Sequence, residues 1–487
     1  FAASATWTLG VRHKGACKGT PKNYRPVALT SHLIKVFEKV LRSHIMAHME
    51  DNNLFNPHQH GFRAGHSCLS QLLSHYDQIT KSLEEGYNVD VVYLDFSKAF
   101  DKLDFNITLQ KLYDIGLDGK ILSWITSFLT NRKQSVIVNG TKSSPEDVIS
   151  GVPQGSVIGP LLFLLMLGDI DIDTNSAFVS SFADDTRVMG RISGMDDVVS
   201  LQSDLESIYQ WSEWNNALFN ADKFECLRYG SNCEIKESTH YLSNSGTVIE
   251  CKDTVKDLGV KMSDNANFTE HILSTVESAQ QQCAWILRTF ATRDRRPMTI
   301  LWKSLVQHPL EYCSQLWSPT AVGLIQKLEM VQRSYFNKIK GLRQYDYWQQ
   351  LSLLKMYSLQ RRRERYMIIY LWKVLEKLSP NFGITENQRR NGRFCKVPHI
   401  KSNAPMRIKN LRHASLAVKG PLLFNLMPAN IRNMKSCSVE KFKAALDKYL
   451  QTIPDQPRIP GLIRYCRNAS NSLMDMLETC EEGLTLA

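Results

Sequence analysis

Two adjacent aspartates, Asp184 and Asp185, are the residues of this sequence best suited to chemistry, together with Asp95 far upstream. The pair follows the segment AFVSSF at 177–182, which reads as a strand, and β-forming residues follow the pair. This pattern predicts a hairpin whose tight turn carries the acids. Asp95 ends a second apolar strand, VDVVYL at 89–94. If the two strands are neighbours in one sheet, three carboxylates meet at one end of it.

Three carboxylates that lie close together repel one another unless a cation lies between them. A hard divalent ion with oxygen ligands removes this repulsion, and Mg²⁺ suits carboxylates that are combined with substrate phosphates. Two such ions about 4 Å apart can activate an attacking 3′-oxygen and stabilise a leaving phosphate. The acids therefore indicate phosphoryl transfer with two Mg²⁺ ions, for which Mn²⁺ is an alternative.

The competing interpretation is that an Asp-Asp pair begins a helix or lies in a solvated turn. The sequence supplies such a pair for comparison, Asp196 and Asp197, which precedes apolar residues at helical spacing over 198–208. Those acids are predicted to lie in a first helical turn, where they face the helix dipole. Asp184 and Asp185 differ because β-type apolar residues flank them on both sides.

Length and composition set broad limits on the class of protein. The chain has 487 residues, which predicts two to four domains, and its net charge of +11 suits a polyanionic partner. Eleven cysteines show no paired short spacing, which predicts reduced intracellular thiols and no zinc knuckle. The apolar run 161–167 is far shorter than the roughly 20 residues that span a bilayer, and no secretory signal is visible, so no membrane partner is expected.

Hydrophobic periodicity predicts the order of the elements. Strands beyond those already named are expected at 135–138, before an Asn139–Gly140 turn, and at 220–225 and 254–260. From about residue 267 the pattern is helical, and beyond Pro380 it is loop-rich until 438–449. The expected helices are these: 33–45, 69–83, 109–115, 121–129, 198–211, 272–290, one from Pro297, 324–339 and 351–376.

A loop rich in glycine, SGVPQGS at 150–156, precedes Pro160, which is well placed to begin an apolar helix. Because glycine has no Cβ, such a loop lets the backbone approach a flat ligand closely. The alternative is an ordinary connecting loop.

Taken together, these segments resemble the reverse transcriptase of non-LTR retrotransposons, in the jockey/CR1-like branch. The likeness runs from about residue 23 into the 370s, and the segments stand in the order that the family has. They are YRPV at 24–27, QHGFR at 59–63, YLDFSKAFD at 93–101, GVPQGS at 151–156, FADD at 182–185, DLGV at 257–260, LEYC at 310–313 and WSP at 317–319.

The resemblance implies an α/β right-hand polymerase. Residues 1–262 would form fingers and a palm with an antiparallel sheet, 263–345 a helical thumb, and 346–487 a mostly helical, basic and partly loop-rich region. The implied activity is RNA-directed DNA polymerase, which adds dNTPs to a DNA primer 3′-OH on an RNA template. A nuclear and cytoplasmic location would follow, and the oligomeric state is left open.

The resemblance also implies roles for individual residues. Asp95, Asp184 and Asp185 would hold the metal ions, and Lys223 would protonate the leaving pyrophosphate, although a surface lysine is the alternative. Phe100 would exclude a ribose 2′-OH, with core packing as its alternative. Nucleotide binding is implied for Arg25, Arg63, Phe96, Phe100, Gln154 and Gly155, and nucleic-acid binding for Leu258, Gly259, Arg293, Arg295 and Arg296. The basic run 361–365 would bind phosphates or form a solvated face.

Two other hypotheses compete with an active enzyme. One is an inactive nucleic-acid-binding remnant of a retrotransposon. It is favoured because residues 1–14 lack the apolar-Pro-Lys-Lys-Gly pattern expected there, and because the chain, which begins with Phe1, lacks the endonuclease usual upstream. The other is a group II intron reverse transcriptase, which would lack the segments at 310–319. The intact acids and Gln154 favour the active retrotransposon enzyme.

Overall fold

A computed structural model of the chain describes residues 6–13, 19, 23–389, 392–457 and 470–477. The chain forms two compact units, one made of Phe1–Ser67 with Val89–Lys252 and the other of Cys68–Asn88 with Asp253–Ala487. The helix predicted at 69–83 therefore belongs to the second unit, although the segments on either side of it belong to the first. Among the described residues, no helix combines the length and the apolar character that crossing a membrane requires.

The strands have the following bounds: β1 Thr6–His13, β2 Tyr24–Ala28, β3 Asn88–Leu94, β4 Arg132–Val138, β5 Thr141–Lys142, β6 Glu146–Val148, β7 Phe178–Phe182, β8 Asp185–Ile192, β9 Glu225–Tyr229, β10 Glu250–Lys252, β11 Thr254–Asp257, β12 Val260–Ser263, β13 Glu386–Arg389 and β14 Gly392–Cys395.

The α-helices have the following bounds: α1 His32–Asp51, α2 Cys68–Glu85, α3 Phe105–Asp114, α4 Gly119–Leu129, α5 Gly159–Met166, α6 Met195–Trp214, α7 Cys233–Ser238, α8 Thr269–Thr289, α9 Arg295–Leu301, α10 Gln307–Glu311, α11 Ser314–Trp317, α12 Val322–Phe336, α13 Tyr347–Leu354, α14 Leu359–Leu375, α15 Met406–Ala414, α16 Leu416–Asn425, α17 Ala429–Arg432 and α18 Val439–Leu450.

The central sheet of the first unit has the strand order β10-β9-β3-β8-β7. The β3/β9 and β7/β8 pairs are antiparallel, and β10 joins β9 as a short parallel edge strand. The strand that leads to Asp95 thus lies beside the strand that begins at Asp185, which is the condition that the sequence analysis set for the acids to meet at one end of the sheet. A second sheet contains β2-β1-β4-β5, with β6 paired to β4.

Helices of the first unit form one core with its central sheet. Buried side chains of this core include Val92 on β3, Val188 on β8, Leu162 on α5 and Leu205 on α6. The helical spacing of α6 follows from burying one face in this core, whereas consecutive residues of β3, β8 and β9 are buried. The first turn of α6 contains Asp196 and Asp197, which confirms the helix-start interpretation of that pair.

The second unit is mainly helical and packs around large aromatic side chains. Trp372 of α14 stacks on Phe442 of α18 with ring centroids 4.4 Å apart, and Trp302 lies 5.3 Å from Tyr335. A buried ion-pair group joins α15 to α2, in which Arg412 contacts both Asp77 and Glu84.

The expected elements are largely confirmed, with three differences. Residues 221–223 form a 3₁₀ turn before β9 begins at Glu225. The helix expected over 351–376 is two helices, α13 and α14. The segment expected to be loop-rich contains the β13–β14 hairpin and helices α15 to α17. Helix α16 contains Pro421, a residue unfavourable inside a helix, but most of its side chains are buried. Such packing overrides local propensity.

Both predictions for the basic run 361–365 are wrong. Arg361 and Arg363 are buried, with 0% and 1% of the residue surface exposed. Arg362 pairs with Glu311, and Arg365 pairs with Asp447. Of the two buried guanidinium groups, that of Arg361 lies 3.7 Å from Asp455 and that of Arg363 donates to Oε1 of Gln360 at 2.8 Å. Such partners reduce the cost of burying a charge.

Candidate active site

A tight hairpin carries the two adjacent acids, as predicted. Strands β7 and β8 pair with Phe182 opposite Asp185, so Ala183 and Asp184 form the turn. Ala183 has a φ of 56°, and a positive φ at the first central residue is what the primed hairpin turns require. The turn places Asp184 at its tip and Asp185 at the start of β8.

Asp95 lies at the end of β3 and is held by a segment that returns beside it. The Asn220 N–H donates to the Asp95 carbonyl at 2.8 Å, and the Ser97 N–H donates to the Leu218 carbonyl at 2.8 Å. This segment brings the Nζ of Lys223 to 2.8 Å from Oδ2 of Asp95. The side chains of Lys223 and Asp95 are 61% and 32% exposed, so the ion pair faces solvent.

Two neighbouring residues, Gly61 and Phe62, connect the hairpin turn with the loop after Asp95. The Phe62 ring lies 6.3 Å from the Phe100 ring. Its neighbour Gly61 packs so closely on the turn that an added Cβ would lie 2.3 Å from the Ala183 nitrogen. The hairpin acids and the loop that follows Asp95 are therefore at the same end of the sheet.

The residues of this end of the sheet suit a divalent cation by their chemistry. They offer hard carboxylate oxygens, and Asp95 already binds a cationic group, the Lys223 ammonium. Within the described part of the chain, no three His, Cys, Asp or Glu side chains are gathered as metal ligands. A divalent ion at Asp95 would therefore compete with the Lys223 ammonium for this carboxylate.

The glycine-rich loop is docked on the residues that follow Asp95. The Gln154 side-chain amide donates to Oδ1 of Asp101 at 2.8 Å, and the Val152 N–H donates to the Phe100 carbonyl at 2.8 Å. Gly151 has a φ of +82°, and a Cβ there would lie 2.4 Å from the Asp101 carbonyl oxygen. This glycine thus allows the loop to pack closely on the residues that follow Asp95. Gly155, with a φ of +100°, has more room.

A buried glutamate that sequence analysis missed supports the same loop. Glu38 of α1 accepts hydrogen bonds from the N–H groups of Val157 and Ile158, at 2.5 and 3.0 Å, directly before α5. Burial raises the pKa of Glu38, and these two bonds act in the opposite direction. In the sequence, Glu38 is simply a polar residue within a helical segment, so nothing near it indicates this contact.

The two phenylalanines after Asp95 have different environments. Phe100 is half-buried, and its ring lies 4.7 Å from that of Phe163. Phe96 is only 5% exposed and stacks on Phe219 with centroids 4.4 Å apart. The side chain of Phe96 is therefore part of the core, which differs from the nucleotide contact predicted for it.

Arg63 and Arg25 are the two arginines predicted to bind phosphate, and the structure describes the side chain of Arg63 alone. The Arg63 side chain, 10% exposed, donates to the Asn56 carbonyl at 2.9 Å and lies 4.6 Å above the Phe55 ring. It also lies 3.6 Å from Glu50, so its guanidinium holds the surrounding loop together. Arg25 belongs to β2, and its side chain lies outside the described part of the chain.

In the second unit, two of the segments that carried the resemblance meet. Leu258 and Gly259 form the turn between β11 and β12 with φ values of 43° and 87°. The Tyr312 hydroxyl donates to the Leu258 carbonyl at 2.9 Å. A positive φ is uncommon for a residue as bulky as leucine, so this contact supports an unusual backbone conformation.

The three arginines predicted to bind nucleic acid near residue 295 are not equivalent. Arg293 donates to the carbonyls of Phe290 and Leu287, at 2.5 and 2.7 Å, and so caps the C-terminus of α8. Arg295 and Arg296 are exposed at the start of α9. Only these two present guanidinium groups to solvent.

Residues 12–262 match the family model described as reverse transcriptase (RNA-dependent DNA polymerase). This match covers more than half of the chain, and the chain belongs to that family. The probable RNA-directed DNA polymerase from transposon X-element of Drosophila melanogaster is 27% identical over 69% of this chain. The RNA-directed DNA polymerase from mobile element jockey of the same species is 25% identical over 66% of it.

The matched regions span 38% and 36% of the lengths of these two relatives. Among solved structures, apo telomerase from Candida Tropicalis is similar with a TM-score of 0.42 and 10% identity, over 76% of this chain and 63% of the other.

Proposed function

We propose that this chain is the polymerase part of a jockey-like non-LTR retrotransposon protein and that it copies an RNA template into DNA. It would extend a DNA primer with dNTPs inside the cell, in the nucleus and cytoplasm. The observation that supports this proposal most is the arrangement of β3 beside the β7–β8 hairpin. Asp95 then lies on the strand next to the one that begins at Asp185, in a chain of the reverse transcriptase family.

The carboxylates of Asp95, Asp184 and Asp185 would hold two Mg²⁺ ions. When bound, such ions activate the primer 3′-oxygen and neutralise charge on the phosphate. The ions would compete with Lys223 for Asp95, and the displaced ammonium would then donate a proton to the leaving pyrophosphate oxygen. The ion pair keeps the proposed proton donor close to the acids.

The neighbouring residues would select and position the nucleotide. The Phe100 ring is only half-buried, so its free side can limit the space beside a bound sugar. Gln154 and Gly155 lie in the loop that packs behind Phe100, and they would support the base or sugar from that side. Arg25 is the remaining candidate for the triphosphate, because the Arg63 guanidinium is bound by its own loop.

Contacts with the nucleic-acid backbone would come from exposed cations. Arg295 and Arg296 are suited to phosphates because guanidinium groups pair with them in two-pronged geometry. Binding of this kind reads no sequence and weakens as salt is raised. The Leu258–Gly259 turn is a further proposed contact with the primer strand.

Primer extension on an RNA template with dNTPs and Mg²⁺ tests the proposal, with Asp184→Ala and Asp95→Ala as the critical variants. Both should abolish extension because a metal site loses a charged ligand. Both should keep duplex binding and its salt dependence, since that binding rests on other residues. Asp196→Ala, at the start of α6, is the matched control and should extend normally.

Three results would reject parts of the proposal. Extension by Asp184→Ala would remove the metal role from that residue. Loss of folding in Asp184→Ala, seen by circular dichroism, would make the residue structural. A parent protein that binds RNA–DNA duplex but never extends it would select the inactive remnant instead.

A further inference from the structure

A short segment, residues 58–61, lies along the outer edge of the hairpin that carries Asp184 and Asp185. Gln59 forms a parallel bridge with Ser181 of β7. The His60 N–H donates to the Ser181 carbonyl at 2.9 Å, and the Ser181 N–H donates to the His58 carbonyl at 3.1 Å. The segment thus extends the central sheet by one strand-like piece beside β7.

The side chain of Gln59 turns from this segment onto the hairpin turn itself. Its Oε1 accepts hydrogen bonds from the Ala183 N–H at 3.1 Å and from the Gly61 N–H at 2.9 Å. Its Nε2 lies 3.5 Å from the Ala183 carbonyl oxygen, which is a long contact. Gln59 and Ala183 are both buried, so water does not easily replace the side chain as the partner of this amide.

Gly61 makes this arrangement possible because nothing larger fits there. A Cβ on Gly61 would lie 2.3 Å from the Ala183 nitrogen and 3.0 Å from its Cα. The Gln59 oxygen and the Gly61 backbone are therefore both packed against the Ala183 amide of the turn.

We propose that Gln59 is a positioning residue that fixes the backbone of the turn and thereby the direction of the Asp184 and Asp185 carboxylates. The proposal rests on the metal-dependent polymerase function proposed above, but it assigns to Gln59 neither metal binding nor substrate contact. Since a metal site needs its ligands within a fraction of an ångström, a turn that shifts or fluctuates should slow chemistry more than it weakens nucleotide binding.

Two substitutions of Gln59 separate its hydrogen bonds from its bulk. Gln59→Met keeps the length of the side chain but removes the accepting oxygen. Gln59→Glu keeps an oxygen that accepts from both N–H groups. We expect kcat of Gln59→Met to fall about 10- to 100-fold with little change in KM for dNTP, and Gln59→Glu to restore most of it at saturating Mg²⁺.

A matched control is available on α6 of the same unit. Gln202 also accepts from a backbone N–H, that of Leu242, at 2.8 Å, and its amide lies 3.4 Å from the Leu242 carbonyl. Gln202→Met removes a comparable pair of contacts that do not involve the hairpin turn. It should leave kcat unchanged.

Hydrogen exchange of the protein without added metal gives a readout that does not depend on activity. Peptides that contain 178–190 should exchange faster in Gln59→Met than in the parent, while peptides from α6 should not change. Gly61→Ala should produce the same local increase, because its methyl group displaces the Ala183 amide. This second variant decides the question if Gln59→Met is globally unfolded.

The results distinguish failure of this inference from failure of the proposed function. If the parent extends primers and Gln59→Met has the same kcat and exchange, the positioning role is wrong. If Gln59→Glu is as slow as Gln59→Met, the accepting oxygen is not the cause. If the parent does not extend primers at all, the proposed function fails, and exchange at 178–190 still supports or overturns the role of Gln59.

Discussion

The ammonium nitrogen of Lys223 lies 2.8 Å from a carboxylate oxygen of Asp95, although 128 residues separate the two along the chain. A divalent ion that binds Asp95 would compete with this lysine for the carboxylate. This ion pair links the proposed proton donor, Lys223, to the proposed metal ligand, Asp95. Removing Lys223 should therefore change metal binding and the rate of catalysis in opposite directions.

Lys223→Ala should bind metal more tightly and catalyse more slowly. An exposed ion pair contributes up to about 1 kcal/mol, so the dissociation constant for Mn²⁺, measured by electron paramagnetic resonance without nucleotide, should fall by up to about fivefold. The rate should fall by about 100-fold or more if Lys223 is the general acid. Lys223→Arg keeps the charge and should bind Mn²⁺ like the parent. Unchanged Mn²⁺ binding in Lys223→Ala would show that the pair does not oppose the metal.

Phe100→Ala should relax the choice of sugar. With the ring removed, kcat/KM for ribonucleotides relative to deoxynucleotides should rise about 10-fold or more. The half-buried ring also packs on Phe163, so the free energy of unfolding should fall by about 2 kcal/mol. Phe100→Tyr keeps the bulk and should keep the selectivity. If single-nucleotide kinetics give the same ratio for Phe100→Ala and the parent, the ring serves packing alone.

Arg412→Met should destabilise the second unit severely. Arg412 lies 2.7 Å from Asp77 and 2.9 Å from Glu84, and all three side chains are at most 8% exposed. Removing the arginine leaves two buried carboxylates, one of them still paired with Lys81, and should cost about 3–5 kcal/mol in urea unfolding.

The exposed pair of Lys261 and Glu270, 2.8 Å apart, provides the control for Arg412. Lys261→Met should cost less than about 1 kcal/mol. Adding Asp77→Asn and Glu84→Gln to Arg412→Met should recover part of the loss, because the uncompensated charges are then gone. Equal costs for Arg412→Met and Lys261→Met would contradict the assignment of a buried network.

The stability of the first unit should depend on pH through His60. Burial, together with the neighbouring His66 and Arg63, lowers the pKa of His60 from 6.5 to about 3. The unfolded chain therefore binds a proton between these values while the folded chain does not. The contribution of His60 to the free energy of unfolding therefore has its full value above pH 6.5, and it decreases progressively as the pH falls towards 3.

His60→Asn should flatten this dependence, which thermal unfolding from pH 7.5 to pH 5 would measure. The variant should lose less stability than the parent over that interval, even if it is less stable at pH 7.5. His240→Asn, an exposed histidine of the same unit, is the comparison and should follow the parent. An identical slope in His60→Asn and the parent would mean that His60 is not the group that titrates.

Local pattern was sufficient for much of the fold and for the candidate acids. Runs of β-forming residues on both sides of the acids located the β7–β8 hairpin, and β3 was predicted to end at Asp95. Helical spacing located α1, α2 and α6. In α6 the buried side chains recur at this spacing, whereas α2 is buried on most sides and Leu33, Val36 and Phe37 of α1 are exposed. Asn139 and Gly140 both have positive φ, as the turn signal required. These features depend on residues that are close together in the chain, so the sequence alone determined them.

Only the tertiary structure decided which side chains meet across long separations. Gln59 and Ala183 are 124 residues apart, and neither position differs locally from an ordinary polar or small residue. The run 361–365 shows the same limit. A row of arginines has the same local sequence pattern whether its guanidinium groups are solvated or paired with carboxylates inside the protein. Partner choice depends on the packing of whole elements, and the charge and hydrophobicity of a short window do not contain that information.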